Sequence, residues 1–409
     1  MIGPVPSVEW ERTNSKRLIK MVIKRVAEDV YALQSFDWDR RTFDSILETP
    51  KGTTYNSFLI KDEKNILIDS TKPSMAKELL EDLESLNVQI DYIVSQHAEQ
   101  DHSGAIPALL REYPNAKILG TRACKELLEN LLGIPAEKIQ NIEDGQVLSA
   151  GRHKLNLIVT PWVHWPDTMV SYLLPEGILF SCDFFASHFA TTKTITKLEE
   201  IQEEAKRYYA HIMMPFSQMI QGNLEKLRNL EIRMIAPSHG PIIEKPEIIL
   251  DLYGRWSSQT SKKVTIAYIS MHGSTELMVK HLTRTLTDLD VNIRVINLAN
   301  TSTGELIMEL VDSRAMIIAS PTVLTRPHPS VASMLYLVNM LKPPIKYVAL
   351  IGSYGWGTLI EKETRKLLGT MNIEFLEPVL IKGKPHKEDF ERLDKLAWEI
   401  KEKIGEDEK

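Results

Sequence analysis

Ser95-Gln96-His97-Ala98-Glu99-Gln100-Asp101-His102-Ser103-Gly104 stands directly after the β-branched run Asp91-Tyr92-Ile93-Val94. Four side chains able to ligate a metal, His97, Glu99, Asp101 and His102, fall within six residues where a strand pattern gives way to a loop. A lone buried histidine is ordinarily a satisfied core residue, but core packing has no use for this density of imidazole and carboxylate. Three more candidates each follow a predicted strand: His164 in Thr160-Pro161-Trp162-Val163-His164-Trp165-Pro166-Asp167, Asp183 in Phe180-Ser181-Cys182-Asp183, and His239 in Ala236-Pro237-Ser238-His239-Gly240.

Around these loops, from Val22 to about Met234, short β-branched runs such as Ser57-Phe58-Leu59-Ile60 and Ile66-Leu67-Ile68 alternate with amphipathic patterns. Helices are predicted over Ser74 to Leu86, Arg122 to Leu132 and Gln218 to Leu230, giving two sheets covered by helices. After the helical stretch Pro246 to Gln259 the pattern changes. Val264 to Ile269 is a strand, Glu276 to Leu289 a helix, Val291 to Leu298 a strand, and the βα alternation continues through Phe375 to Ile381 and Glu388 to Ile404. That alternation predicts a doubly wound parallel sheet of five strands. The polar stretch Ser257 to Lys262 suits a linker, so the expected division is a polar extension over 1–21, one domain over 22–258 and a second over 259–409.

A chain of 409 residues exceeds what one core usually organises, in keeping with two domains. The net charge of −6 offers no basic surface for phosphate neutralisation and argues against a nucleic-acid partner. No uncharged apolar run reaches roughly 18 residues, and the basic opening around Lys16 to Arg25 lacks the apolar segment of a secretion signal. A cytoplasmic protein with no membrane span is therefore expected. Cys124 and Cys182, the only cysteines, stand far apart, which rules out a disulfide framework, a CxxC pair or a rubredoxin-like module within these residues.

Three loops of the second half converge in type. Ser270-Met271-His272-Gly273-Ser274-Thr275 leads from the first strand into a helix, where hydroxyls, backbone N–H groups and the helix dipole make a phosphate site. Pro321-Thr322-Val323-Leu324 follows the third strand and Ser353-Tyr354-Gly355-Trp356-Gly357 the fourth, both at strand carboxyl ends. Small residues there let amides approach a ring edge, and Tyr354 or Trp356 offers a stacking face. Neither GxGxxG nor GxxxxGK[ST] is present. Together the loops resemble flavodoxin, and FMN is the cofactor this resemblance implies.

The first set of motifs resembles the metallo-β-lactamase superfamily, whose HxHxDH is here HxExDH, with Glu99 in place of the second histidine. Both motif sets in one polypeptide resemble the flavodiiron proteins from about residue 25 to 405. The resemblance implies an N-terminal metallo-β-lactamase-like αββα sandwich and a C-terminal flavodoxin-like domain. It implies two irons: one on His97, Glu99 and His164, the other on Asp101, His102 and His239, with Asp183 bridging. A harder carboxylate in place of an imidazole suits iron more than zinc. His188, five residues after Asp183, is expected near the open face of the metals as a proton-donating or gas-orienting group. His153, His211, His281 and His386 sit in ordinary structural contexts, and Cys182 reads as a small buried residue.

The activity implied is reduction of dioxygen to water or of nitric oxide to nitrous oxide, with FMN passing on electrons from an external donor. The donor expected is a reduced deazaflavin coenzyme, whose acidic tail Arg326 would anchor, with rubredoxin the alternative. A head-to-tail homodimer, or a dimer of dimers, is expected to bring the flavin beside the partner's metals. The rival readings are a binuclear zinc hydrolase fused to flavodoxin and a non-catalytic redox carrier or gas sensor.

Overall fold

The computed structural model describes residues 22–43, 45–258 and 262–405; the polar extension expected over 1–21 lies outside them. Two seven-stranded sheets form from the first half. In the first, Val22–Ala27, Val30–Asp37, Thr53–Ile60, Ile66–Ile68, Tyr92–Val94, Lys117–Gly120 and Ile139–Asn141 lie side by side in chain order. The pairing is antiparallel up to Ile66–Ile68 and parallel beyond it. The switch occurs where helices Ala76–Ser85, Ile106–Glu112 and Arg122–Leu132 begin to supply crossovers.

The second sheet runs Gln146–Ser149, Lys154–Val159, Met169–Leu174, Ile178–Cys182, Met234–Pro237, Ile242–Glu244 and Ile195–Thr196. Its inner face meets the first sheet's: Phe58, Ile66 and Ile68 share one cluster with Leu155, Leu157 and Phe180. The outer face of the first sheet is covered by Leu79, Leu83, Ile106, Leu109 and Leu128 of its helices. The strand ends bearing the candidate ligands therefore open along one edge of an αββα sandwich, as expected from the motifs.

The third sheet is parallel, in the order Ile293–Asn297, Lys263–Tyr268, Ser313–Val323, Tyr347–Tyr354 and then Glu374–Phe375. Its central strands are buried along nearly their whole length, because helices pack on both faces. The last strand departs from the continuous Phe375-to-Ile381 strand the sequence suggests. It is broken into Glu374–Phe375 and Val379–Lys382, because Pro378 has no N–H to give to the ladder.

One hydrophobic cluster runs across both halves. It joins Tyr208, Tyr209, Ile212 and Met213 to Leu306, Ile307, Leu310 and Val338. At this junction His211, on a π-helical turn Tyr209–Met213, has Nε2 3.1 Å from the Gly304 carbonyl oxygen. Ion pairs Lys206–Asp312 at 3.0 Å and Arg207–Glu305 at 3.7 Å flank it.

Burial lowers the pKa of His211 to about 4, against the opposing pull of its bond to Gly304. The folded value lies below the ordinary 6.5, so the unfolded chain binds the extra proton first. Stability from this group is complete above about pH 6.5 and is lost as pH falls through about 4, a difference of about 3 kcal/mol. Urea midpoints of metal-free protein at pH 7 and pH 4.5 are expected to differ less in His211→Gln than in the parent chain.

Candidate metal centre

Seven side chains gather at the edge of the sandwich on segments that follow strand carboxyl ends, Asp101 and His102 on the short helix Gln100–Ser103 and the rest on loops. Among the described residues, His97, Glu99, His164 and Asp183 form one ligand-competent group and Asp101, His102 and His239 another. Asp183 belongs to both by geometry. Its Oδ2 lies 3.3 Å from His164 Nε2 and 3.7 Å from His97 Nε2, and its Oδ1 lies 3.1 Å from His102 Nε2 and 3.4 Å from His239 Nε2. Glu99 Oε2 closes the first group at 3.2 Å from His97 Nε2 and 3.3 Å from His164 Nε2. Asp101 closes the second, 3.3 Å from Nε2 of both His102 and His239.

These spacings are the edges of coordination polyhedra. Ligands about 2.1 Å from a common ion lie roughly 3.0–3.4 Å from one another. The donor atoms also lack other employment: both Asp183 oxygens, Asp101 Oδ1 and His102 Nε2 are buried without a hydrogen-bond partner. A buried carboxylate with no donor is costly, so the set fits a pair of cations sharing Asp183. Glu99 and Asp101, about one-fifth exposed, mark the side that opens to solvent.

The imidazoles are aimed from behind. His239 Nδ1 donates to the Thr54 carbonyl at 2.7 Å, which leaves the Nε2 lone pair facing the centre. His97 Nδ1 sits 3.2 Å from Asp167 Oδ1, while Asp167 Oδ2 accepts from the Ala98 N–H at 2.7 Å. Buried Asp69 accepts from the Gln96 N–H and side-chain amide and from Ser238 Oγ, tying two ligand loops together. Asp167 and Asp69 were not singled out from the sequence. Asp167, three residues after His164 in the quoted motif, was the more findable.

Burial works against charge at His97, His102 and His164. The carboxylates around them outweigh it and raise all three to about 10. Burial likewise works to raise Glu99, but His164 and His97 hold it at about 2, and neighbouring imidazoles hold Asp101 and Asp183 well below the usual carboxylate range. Protons here occupy the place of a cation, so metal loading releases them and is favoured as pH rises.

His188 lies beside this set. Its Nδ1 is 3.0 Å from Thr53 Oγ1, its Nε2 has no partner, and its ring neighbours Phe43 at 5.2 Å and Tyr208 at 4.9 Å. Burial, and then the nearby His239, hold it well below the ordinary imidazole value. Tyr208, which sequence reading passed over, is held well above the usual phenol value by burial and then by the Asp183 charge. Of the other histidines, His153 meets Asp62 at 2.7 Å, His281 meets Asp394 at 2.7 Å and His386 is exposed. Cys182 is buried and protonated, its thiol pushed up by burial.

The second candidate site lies at the strand carboxyl ends of the third sheet. Ser270, Met271, His272, Ser274, Thr275, Pro321, Thr322, Ser353, Tyr354, Gly355 and Trp356 line a cleft of about 320 Å³, with Gly383 as an addition to the expected set. Gly273 borders the adjoining cleft, while Val323, Leu324 and Gly357 stand outside the lining. Gly273, at φ +86°, caps the 15-residue helix Ser274–Asp288, and Ser270 Oγ accepts from the Gly273 and Glu276 N–H groups. Gly352 lets the two central strands approach, since a Cβ there would stand 2.3 Å from the Ser320 carbonyl oxygen. Hydroxyls and free amides at a helix start, with an aromatic wall, fit a phosphate-bearing planar ligand.

Comparison with known proteins finds relatives that span nearly the whole chain. A family model described as ODP family beta lactamase matches residues 53–240. The chain is 33% identical to a nitric oxide reductase of Moorella thermoacetica, over 93% of this chain and 98% of that protein. It is 33% identical to a coenzyme F420H(2) oxidase of Methanothermobacter marburgensis, over 79% of this chain and 83% of that protein. Among solved structures, rubredoxin oxygen:oxidoreductase of Desulfovibrio gigas superposes with a TM-score of 0.88 at 28% identity, covering 94% of this chain and 98% of that one.

Because Asp167 holds both His97 and the loop backbone, Asp167→Asn is expected to weaken metal binding about 10- to 100-fold while leaving the fold intact. Chelator competition at fixed pH, with circular dichroism as the control, measures it.

Proposed function

The chain belongs to the flavodiiron proteins, and on that premise we propose that it reduces a diatomic gas, dioxygen to water or nitric oxide to nitrous oxide, at an iron pair fed by FMN. The observation that carries this reading is Asp183, one carboxylate with an oxygen turned to each of two ligand groups. We assign His97, Glu99 and His164 to one iron, Asp101, His102 and His239 to the other, and Asp183 to both. The loops at 270–275, 321–324 and 353–357 would hold FMN. The corresponding division is 22–258 for the metal domain and 259–409 for the flavin domain. When bound, the irons supply paired redox-active Lewis acids and FMN supplies a two-electron store.

The protein's own residues do the rest. The Thr54 carbonyl and the Asp167 carboxylate fix the imidazole tautomers by accepting hydrogen bonds from Nδ1–H of His239 and His97. Thr53 donates its hydroxyl proton to the Thr54 carbonyl at 3.2 Å, so it accepts from His188 Nδ1 and leaves His188 Nε2 as a lone pair beside the centre. His188 there serves as a proton-holding or gas-orienting group. Phe43, Tyr208 and Trp165 wall the site with aromatic surface that limits water.

The donor we propose is a reduced deazaflavin coenzyme, as the name of the methanogen relative suggests, with rubredoxin the alternative. Arg326, expected to anchor an acidic tail, is ion-paired with Glu363 at 3.0 Å, so its charge is already met within the chain. Exposed Trp356 and Met271 at the flavin cleft, exposed Leu324 outside its lining and exposed Trp162 on the His164 loop support a head-to-tail homodimer that covers both. No helix among the described residues is long and apolar enough to cross a membrane, and we read the chain as cytoplasmic.

Iron-replete, FMN-loaded protein is expected to consume dioxygen or nitric oxide when given reduced deazaflavin or reduced rubredoxin. Asp183→Ala is expected to lose that consumption and its paired iron. Full activity with zinc alone on a thioester or phosphodiester would replace this reading with the hydrolase. Ser270→Ala, which leaves two N–H groups without their acceptor, is expected to weaken FMN binding on the order of ten-fold. Riboflavin, lacking the phosphate, is expected to bind both forms equally in a fluorescence titration.

A further inference from the structure

We propose that His211 is a positioning residue through which the flavin half of the chain sets the aromatic cage around His188 at the metal centre. The inference rests on the diiron reading and adds to it a mechanical role for the second domain within one chain.

Helix Gln202–Tyr208 runs into the π-helical turn Tyr209–Met213, all five of whose residues are buried. Such a turn is rare and clusters at functional sites, because the widened ladder re-aims the side chains on either side of it. Here it separates two neighbours. Tyr208 points to the metal side, its ring 4.9 Å from His188 and 6.2 Å from the ligand His239. His211 points to the flavin half and reaches the Gly304 carbonyl, in the first turn of helix Thr303–Leu310, at 3.1 Å.

The same helix start seats a second element. In the hairpin Thr42–Phe43 and Leu47–Glu48, the Phe43 ring lies 5.2 Å from that of His188. Glu48 Oε2 would be 3.7 Å from a Cβ at Gly304. That Cβ would also stand only 3.1 Å from His211 Cε1 and Nε2, so an alanine there would press on the imidazole ring. Both walls of the His188 cage thus sit on elements registered against one turn of the other domain. His188 in turn meets the His239 ring at 5.1 Å. A buried histidine that merely satisfied its hydrogen bond at an interface would explain the 3.1 Å contact. It would not explain why both elements meeting Gly304 carry the two rings that hold His188.

The test uses full-length protein loaded with iron and FMN, with sodium azide as the probe of the oxidised iron pair. His211→Leu breaks the contact from one domain and Gly304→Ala from the other. Each is expected to change the azide dissociation constant on the order of three- to thirty-fold. FMN content and iron content are expected to stay at the parent's level. His211→Gln, which keeps a donor near the position of Nε2, is expected to remain within about two-fold. The double variant is expected to change no more than the larger single one, since both break one contact. Parent-like azide binding in His211→Leu and Gly304→Ala, with only a lower melting temperature, would overturn the proposal by reducing His211 to a stability contact. If His211→Leu fails to fold, Gly304→Ala alone decides. Parent protein that takes up no iron pair would instead sink the diiron reading, and this inference with it.

Discussion

The Asp183 carboxylate faces two sets of donors at once, and most of the first half of the chain can be understood as the apparatus that holds it there. A buried carboxylate with unpartnered oxygens is tolerable only where positive charge arrives to meet it. Without a cation, protons on His97, His102 and His164 take that place, held by the surrounding carboxylates against the pull of burial. The site is therefore built around charge that it does not itself carry. The sandwich supplies the geometry, since strands ending along one edge deliver four separate loops to a common point.

Support for the centre comes from a layer behind the ligands. Asp167, Asp69, Thr53 and Thr54 use their oxygens to fix rings and loop backbones, so the Nε2 atoms converge before any ion is bound. Beyond them lies the shared core of the two halves. Its cluster runs from Tyr208 and Met213 into Leu306 and Val338, so the second half of the chain is packed against an element that reaches the ligand cluster. The second half thereby braces, through Gly304, the elements that carry Tyr208 and Phe43.

Much of this was legible in the sequence for a chemical reason. Metal ligands must be drawn from a few residue types at short spacing, so His97, Glu99, Asp101 and His102 stand out, and their strand-end context points to His164, Asp183 and His239. The parallel sheet was legible because strands buried on both faces read as continuous apolar runs. What escaped shares a different character. Asp167 and Asp69 act by accepting hydrogen bonds, which any aspartate can do, and only the nearness of Asp167 to His164 in the chain sets it apart. Tyr208 and His211 lie in an unremarkable helical pattern, and the π-turn that sends them opposite ways leaves no periodic mark. Gly383, just after Val379–Lys382, joins the cleft at the carboxyl ends of the third sheet's strands through the loop that follows the broken fifth strand. The expectation for Arg326 missed Glu363, which lies far along the chain and close in space.

The central claim is that one carboxylate joins two irons into a single redox unit. The Mössbauer spectrum of iron-loaded, oxidised protein in an applied field tests it most directly. The account predicts two high-spin ferric ions coupled to a diamagnetic ground state; magnetically isolated ferric sites, or a centre that retains only zinc, would contradict it.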